Sequence, residues 1–385
     1  MKHSLTALAL GTFALGIAEF GMMGILGDVA RGLDVDIVAA GHFISAYSLG
    51  VAVGSPLLIA LRRMPLRKLM LLLAAAICIG NLATALAPDY GSMLVVRFLA
   101  GLPHGAYFGA GAIVCSRIAA KGHGAQAVAV MVGGMTVANL VGNAGATFIS
   151  NAFSWRLAFG CVSFIGLLAF LAIRTQVPVL EALPDSGLRG QFRFLRSAAP
   201  WLIYAGVFFG QASVYCWLSY MEPILTQVTG FSSSAMPFIM VIAGAGMVVG
   251  NFMAGRLSDR YPAALVTGLI ATAMIVVMPA LYFCSSLRIP ELLLMFLATA
   301  GLFGIGGPLQ YIIVHYAKGG EMLGGAGIQV AFNVSNAMSA WVGGMVINLG
   351  FGLASPAIAG IPFAIIGATA LLLLYRRTRP VDKLR

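Results

Sequence analysis

From residue 5 to residue 375 the chain is a succession of apolar blocks, each long enough to cross a bilayer as a helix, and no soluble architecture could absorb them. The blocks fall at 5–27, 38–61, 67–87, 91–118, 124–149, 155–175, 199–221, 234–257, 263–286, 291–316, 322–349 and 352–375. Lipid offers the backbone no hydrogen-bond partner, so segments of this length must satisfy themselves as α-helices. Composition agrees: 60% of the 385 residues are hydrophobic and 9% charged, against roughly a quarter charged in a soluble domain. The expected fold is an all-α membrane protein of about twelve transmembrane helices, with little chain left for an extramembrane domain. Met1-Lys2-His3 and the apolar run after it resemble a secretory signal. That run passes Ala14 and Leu15 without a cleavage pattern, so it reads as an uncleaved first helix.

The longest interruption, 176–198, carries Pro178, Pro184, Asp185, Gly187, Arg189, Arg193 and Arg196 and divides the spans six and six. An N-terminal half (1–175), a cytoplasmic connector (176–198) and a C-terminal half (199–385) follow. With the N-terminus inside, 19 of the 23 Lys and Arg residues face the cytoplasm; Arg31, Arg156 and Arg288 fall outside, and Arg97 lies within a span. This bias predicts a multi-pass inner-membrane protein with both termini cytoplasmic. It also accounts for the net charge of +11 without a nucleic-acid surface, because the basic residues occupy the gaps between spans. The five cysteines sit singly in apolar runs, without metal-site or disulfide spacing. The halves echo each other: Gly54–Lys68 faces Gly250–Tyr261, and Ala100-Gly101-Leu102 matches Ala300-Gly301-Leu302, which sets Leu297 opposite Arg97. Repeated halves point to a solute site at their interface near the midplane, reached alternately from each side.

Glu19 is the acidic residue well inside a predicted span, and a buried carboxylate is costly unless paired, hydrated or protonated. It reads as a proton or substrate site, or as a structural hydrogen bond to a neighbouring helix. Arg97 is the matching cation, since the first helix runs outward and the fourth inward, leaving both within a few turns of the outer boundary. The two together make either a proton-coupling pair or a static brace. His42 and His104 lie inside or near span ends and are candidate proton relays or packing residues. Asp28, Asp89, Glu222 and Glu291 fall at outer span ends, where solvation is expected. Amides are dense at Asn139, Asn143, Gln211, Gln310, Gln329, Asn333 and Asn336. The pairs Asn139/Asn143 and Gln329/Asn333 are four apart and project from one helix face. With Tyr107, Tyr215 and Trp217 they suit a hydrated, sugar-like or drug-like ligand, and they equally suit helix-to-helix hydrogen bonding. Pro103 and Pro308 are expected to kink the fourth and tenth helices.

Several segments carry a family resemblance: Ala18-Glu19-Phe20-Gly21-Met22-Met23-Gly24; Ala40-Gly41-His42 with Ser45, Tyr47 and Gly50; Arg97-Phe98-Leu99-Ala100-Gly101-Leu102-Pro103-His104-Gly105; Gly134 to Leu140; and Phe153-Ser154-Trp155-Arg156. Over essentially its whole length the chain resembles the major facilitator superfamily, in particular its drug:proton antiporter branch and the sugar-efflux permeases of the AraJ type. The resemblance implies that Arg97 is the fourth-helix arginine associated with proton coupling and that the first, fourth, seventh and tenth helices line the cavity. Gly255-Arg256-Leu257-Ser258-Asp259-Arg260-Tyr261 looks like the gating-loop motif, which singles out Gly255, Asp259 and Arg260. The first-half counterpart, Ala60 to Lys68, keeps the basic residues without the acidic one, and Gly142-Asn143-Ala144-Gly145 lacks the proline of the fifth-helix antiporter motif.

The function expected is secondary active transport: proton-coupled efflux, by antiport and alternating access, of a small solute such as a sugar, sugar derivative or drug. A uniporter or proton symporter of a small metabolite on the same fold is the alternative. Neither a P-loop nor H-E-x-x-H is present, so an enzyme or primary pump is not expected, and no cofactor or metal is called for. The implied partners are the small-molecule substrate, protons and the bilayer, with the chain acting as a monomer.

Overall fold

The structure, a computed structural model, describes residues 2–61, 64–119, 124–181, 192–258, 260–317 and 321–382. Among the described residues all regular structure is helical, and the chain divides into two compact units: Met1–Ser186 with Met236–Val241, and Gly187–Ala235 with Ile242–Arg385. The first unit contains α1 (Lys2–Gly24), α2 (Leu26–Gly32), α3 (Ile37–Ala60), α4 (Leu66–Leu86), α5 (Tyr90–Ile118), α6 (Gly124–Val137), α7 (Asn143–Ala152) and α8 (Trp155–Gln176). The rest of the chain supplies α9 (Ala198–Leu218), α10 (Met221–Pro223), α11 (Met236–Ser258), α12 (Ala263–Cys284), α13 (Arg288–Tyr316), α14 (Glu321–Val346), α15 (Pro356–Ala359) and α16 (Ile361–Asp382).

Among the described residues, 11 helices are long and apolar enough to cross a membrane. The predicted block 124–149 is not one continuous α-helix. Between α6 and α7 the backbone widens into a π-helical turn, Ala138–Gly142, which carries Asn139 and ends against Asn143. Such turns recur at functional sites because they re-aim side chains without ending the helix. By contrast, α5 and α13 run unbroken through Pro103 and Pro308.

The distribution of polarity is that of a protein in lipid. Phe238, Val276, Phe283 and Ile289 are each at least 70% exposed, whereas Glu19, Arg97, Asn333 and Asn336 are buried. An apolar surface costs nothing against acyl chains, so helix association relies instead on close packing and internal polar contacts. The tightest such packing joins α3 to α5. A Cβ at Gly50 would lie 2.0 Å from the Phe98 carbonyl oxygen, and one at Gly54 would lie 1.9 Å from that of Leu102. The same contact recurs between α11 and α13, where a Cβ at Gly250 would lie 2.0 Å from the Ala300 carbonyl oxygen.

The ends of the first-unit helices are tied by directional bonds. Asp89 starts α5 with a capping box, its Oδ1 accepting the Ser92 N–H at 2.9 Å while its own N–H donates to Ser92 Oγ. That backbone donor holds the Asp89 carboxyl below the usual carboxylate range. At the opposite end, the chain leaving α8 is gripped by three other helices. Ser4 Oγ donates to Gln176 O (2.6 Å), the Leu66 N–H to Leu180 O (3.1 Å) and Arg117 to Glu181 O (3.0 Å), with Arg67 donating to Arg174 O. The middle of the predicted connector, 182–191, lies outside the described residues.

Candidate functional site

The glycine contact between α3 and α5 sets Tyr47 against the face of α5 that carries Arg97 and His104, seven residues and so two turns apart. The Arg97 guanidinium lies over the Tyr47 ring, 4.3 Å from its centroid, and over the Phe159 ring of α8 at 5.4 Å. Arg97 Nε donates a long bond to Phe43 O (3.4 Å), while both terminal nitrogens are buried without a hydrogen-bond partner. Beyond the same tyrosine, its hydroxyl meets His104 Nδ1 at 3.1 Å, and the imidazole stacks on Phe108. The other ring nitrogen, Nε2, stands 3.7 Å from Glu19 Oε2. Glu19, Tyr47, Arg97 and His104 are each no more than 2% exposed, and neither Glu19 oxygen has a formed hydrogen bond.

Glu19 therefore meets His104 first, and the positive charge of Arg97 acts on it from farther away. The chain continues through α2, whose Asp28 accepts a hydrogen bond from Ser150 Oγ of α7 (2.5 Å) and pairs with Arg31, and whose Gly32 abuts Trp155 at the start of α8. His42 stands outside the network and is half-buried, its Nδ1 2.7 Å from the Tyr90 hydroxyl. Tyr47, noted in the sequence only as part of a motif, is the centre of the cluster. It shares a helix face with Gly50 and Gly54, and that spacing was the available signal.

The amide and aromatic candidates take varied positions. Tyr107 is buried, and its hydroxyl donates to Leu8 O of α1 at 3.1 Å. Asn139 accepts weakly from Asn143 across the π turn (3.5 Å). On α9, Gln211 donates to Leu302 O (3.0 Å) and keeps a buried Oε1 without a partner, and Tyr215 meets Phe332 edge to face. Along α14, Gln329, Asn333 and Asn336 occupy one face over successive turns. Asn333 donates to Gln329 O (2.9 Å), and the Asn336 amide is buried with neither atom in a hydrogen bond. Gln310 is half-buried beside Gly325. Gly255 lies within α11 with open space around it, and Arg260 follows that helix, exposed; Asp259 lies outside the described residues. Two carboxyls expected to be solvated are not: Glu222 is 6% exposed and Glu291 0%, because neighbouring helices cover those helix ends.

The sequence matches the Major Facilitator Superfamily over residues 8–326. It is 42% identical over 386 residues to AraJ of Escherichia coli (strain K12), named as a transporter, covering 99% of this chain and 98% of that one. The inner membrane transport protein YdhP of the same organism is 32% identical, covering 98% and 97%. A relative from Helicobacter acinonychis (strain Sheeba), named as a sugar efflux transporter, is 25% identical, covering 89% and 88%. Among solved structures, a bacterial homologue of the human lysosomal transporter Spinster in an inward-facing, unoccupied conformation superposes with a TM-score of 0.76, at 18% identity and 97% coverage of both chains. The chain belongs to the major facilitator superfamily, as a multi-pass membrane transporter of small solutes and not an enzyme.

Proposed function

We propose that this transporter expels a small solute, such as a sugar, a sugar derivative or a drug, in exchange for protons by alternating access. It works as a monomer in the inner membrane with both termini cytoplasmic. The observation that carries the proton coupling is the buried Glu19 carboxyl 3.7 Å from His104, joined through Tyr47 to Arg97. A movement of under 1 Å would close the Glu19–His104 gap to hydrogen-bond length. A proton could then pass between carboxyl and imidazole, with the Tyr47 hydroxyl setting the tautomer at Nδ1. Arg97, always protonated, supplies a fixed positive charge that favours the carboxylate when the proton leaves. His42, apart from this chain, is left to position Tyr90.

Efflux and a sugar-like cargo are supported by the names borne by relatives and by the neutral character of the second-unit candidates. Gln211, Gln310, Gln329 and Asn333 with Tyr215 and Trp217, and Tyr107 and Asn139 in the first unit, offer donors and acceptors without charge, which suits hydroxyl-rich ligands. Gly255, Asp259 and Arg260 are assigned to the gating loop. The test is transport of labelled sugars, nucleosides and cationic drugs into and out of proteoliposomes with an imposed pH gradient. Glu19→Gln keeps shape and loses titration, so gradient-driven transport should fall while binding persists. A folded Glu19→Gln protein that accumulates substrate with unaltered pH dependence removes Glu19 from the proton path.

A further inference from the structure

Glu291 sits in the first turn of α13, fully buried, with neither carboxyl oxygen in a formed hydrogen bond. The side-chain donor facing it is the indole N–H of Trp217, near the outer end of α9, which is also fully buried and outside hydrogen-bond geometry. A carboxylate in such surroundings costs several kcal/mol unless a cation or a proton neutralises it. No described side chain supplies the cation. Arg288, on the same helix, is turned away to Gly230 O (2.6 Å) and the Phe231 ring. Of the helices packed on α13, α9, α12 and α14 contain no lysine, arginine or histidine, and the one cation of α11, Arg256, lies in its last turn over the Phe252 ring, six residues beyond the Gly250 contact with Ala300 and away from the α13 first turn. The titratable groups toward their outer ends are Tyr215, Cys216, Tyr282 and Cys284, none of them cationic, and Glu222 on α10 is a further acid.

We propose that Glu291, with Trp217 as its hydrogen-bond donor, is a second proton-binding site of this transporter, separate from the Glu19 cluster. In the register that matches Ala300 to Ala100, Glu291 falls opposite Gly91, just as Arg97 falls opposite Leu297, so each half carries an ionisable group the other lacks. When water reaches the outer end of α13, the proton leaves a Glu291 oxygen for that water and the carboxylate accepts the Trp217 N–H. When the site closes, the proton returns and the carboxyl is neutral again. This site rests on the reading of proton-coupled transport for its use, though not for its titration.

Infrared difference spectra of the purified protein in lipid, recorded between acidic and alkaline buffer without substrate, test it directly. A protonated carboxyl shows a C=O stretch that vanishes on ionisation. Wild type should lose a buried-carboxyl band that Glu291→Gln removes from the difference spectrum, that Trp217→Phe shifts, and that Glu19→Gln leaves in place. Glutamine matches the neutral acid in shape; should it fail to fold, Glu291→Asp keeps an acid and should displace the band rather than delete it. A difference spectrum unchanged in Glu291→Gln, or unmoved by both Glu291→Asp and Trp217→Phe, overturns the site. Loss of the band assignment with gradient-driven transport intact refutes Glu291 alone, whereas a confirmed band in a protein indifferent to a pH gradient refutes only the coupling reading.

Discussion

Tyr47 touches His104 with its hydroxyl and Arg97 with its ring, so two substitutions separate its two contacts. Tyr47→Phe removes the hydroxyl 3.1 Å from His104 Nδ1 and leaves the ring beneath Arg97. A buried nitrogen left unpaired costs about 1–3 kcal/mol. At about 1.4 kcal/mol per tenfold, that is roughly a 5- to 150-fold shift in any equilibrium that depends on the bond. Tyr47→Leu also removes the ring face, and a desolvated cation–π contact at 4.3 Å adds about 2 kcal/mol. The leucine variant should therefore lose about 3–5 kcal/mol in all. The assay pairs thermal unfolding of the purified protein with the pH profile of transport in proteoliposomes. Tyr47→Phe should fold, lose the smaller increment and move the pH profile, while Phe159→Leu, which removes the ring 5.4 Å from Arg97, should lower stability less than Tyr47→Leu and leave the profile in place. If Tyr47→Phe is as stable as wild type with an unmoved profile, the hydroxyl is not part of a proton path and the relay argument fails.

Two further outcomes follow from the packing and the cap. Gly54→Ala puts a methyl group against the Leu102 backbone oxygen, so α3 and α5 must part and stability should fall by about 1–3 kcal/mol or more, whereas Gly133→Ala, with nothing within 4 Å, should be neutral or slightly stabilising; equal melting temperatures would refute the close contact. Asp89→Ala should loosen the first turn of α5, read as faster amide hydrogen exchange at Ser92. Because the folded Asp89 carboxyl titrates below its unfolded value, the cap stabilises above the unfolded value and is lost as pH falls through the folded one, so the difference between variant and wild type should vanish in acid. A difference that persists unchanged in acid would contradict the charge-based cap.

Much of this protein is legible in one dimension. In lipid every backbone group must be satisfied within its own helix, so membrane-length apolar blocks alone dictate spans, and the glycine and Ala-Gly-Leu correspondences are a repeat readable from the sequence. A charge inside a span must likewise have a reason to be there, which is why Glu19 and Arg97 stand out before any coordinates. Sequence spacing gives depth along a helix but neither the angle at which a side chain leaves it nor how far the chain runs beyond the span. Those decide partners. The packing of α1 on α5 and the glycine-tight seam between α3 and α5 bring Glu19 to His104, with Tyr47 between the histidine and Arg97. Likewise Glu291 lies at the end of an apolar block, where water is expected, and only the helices packed around α13 remove that water. Burial at a span's end is a property of its neighbours, and the tertiary structure alone determines it.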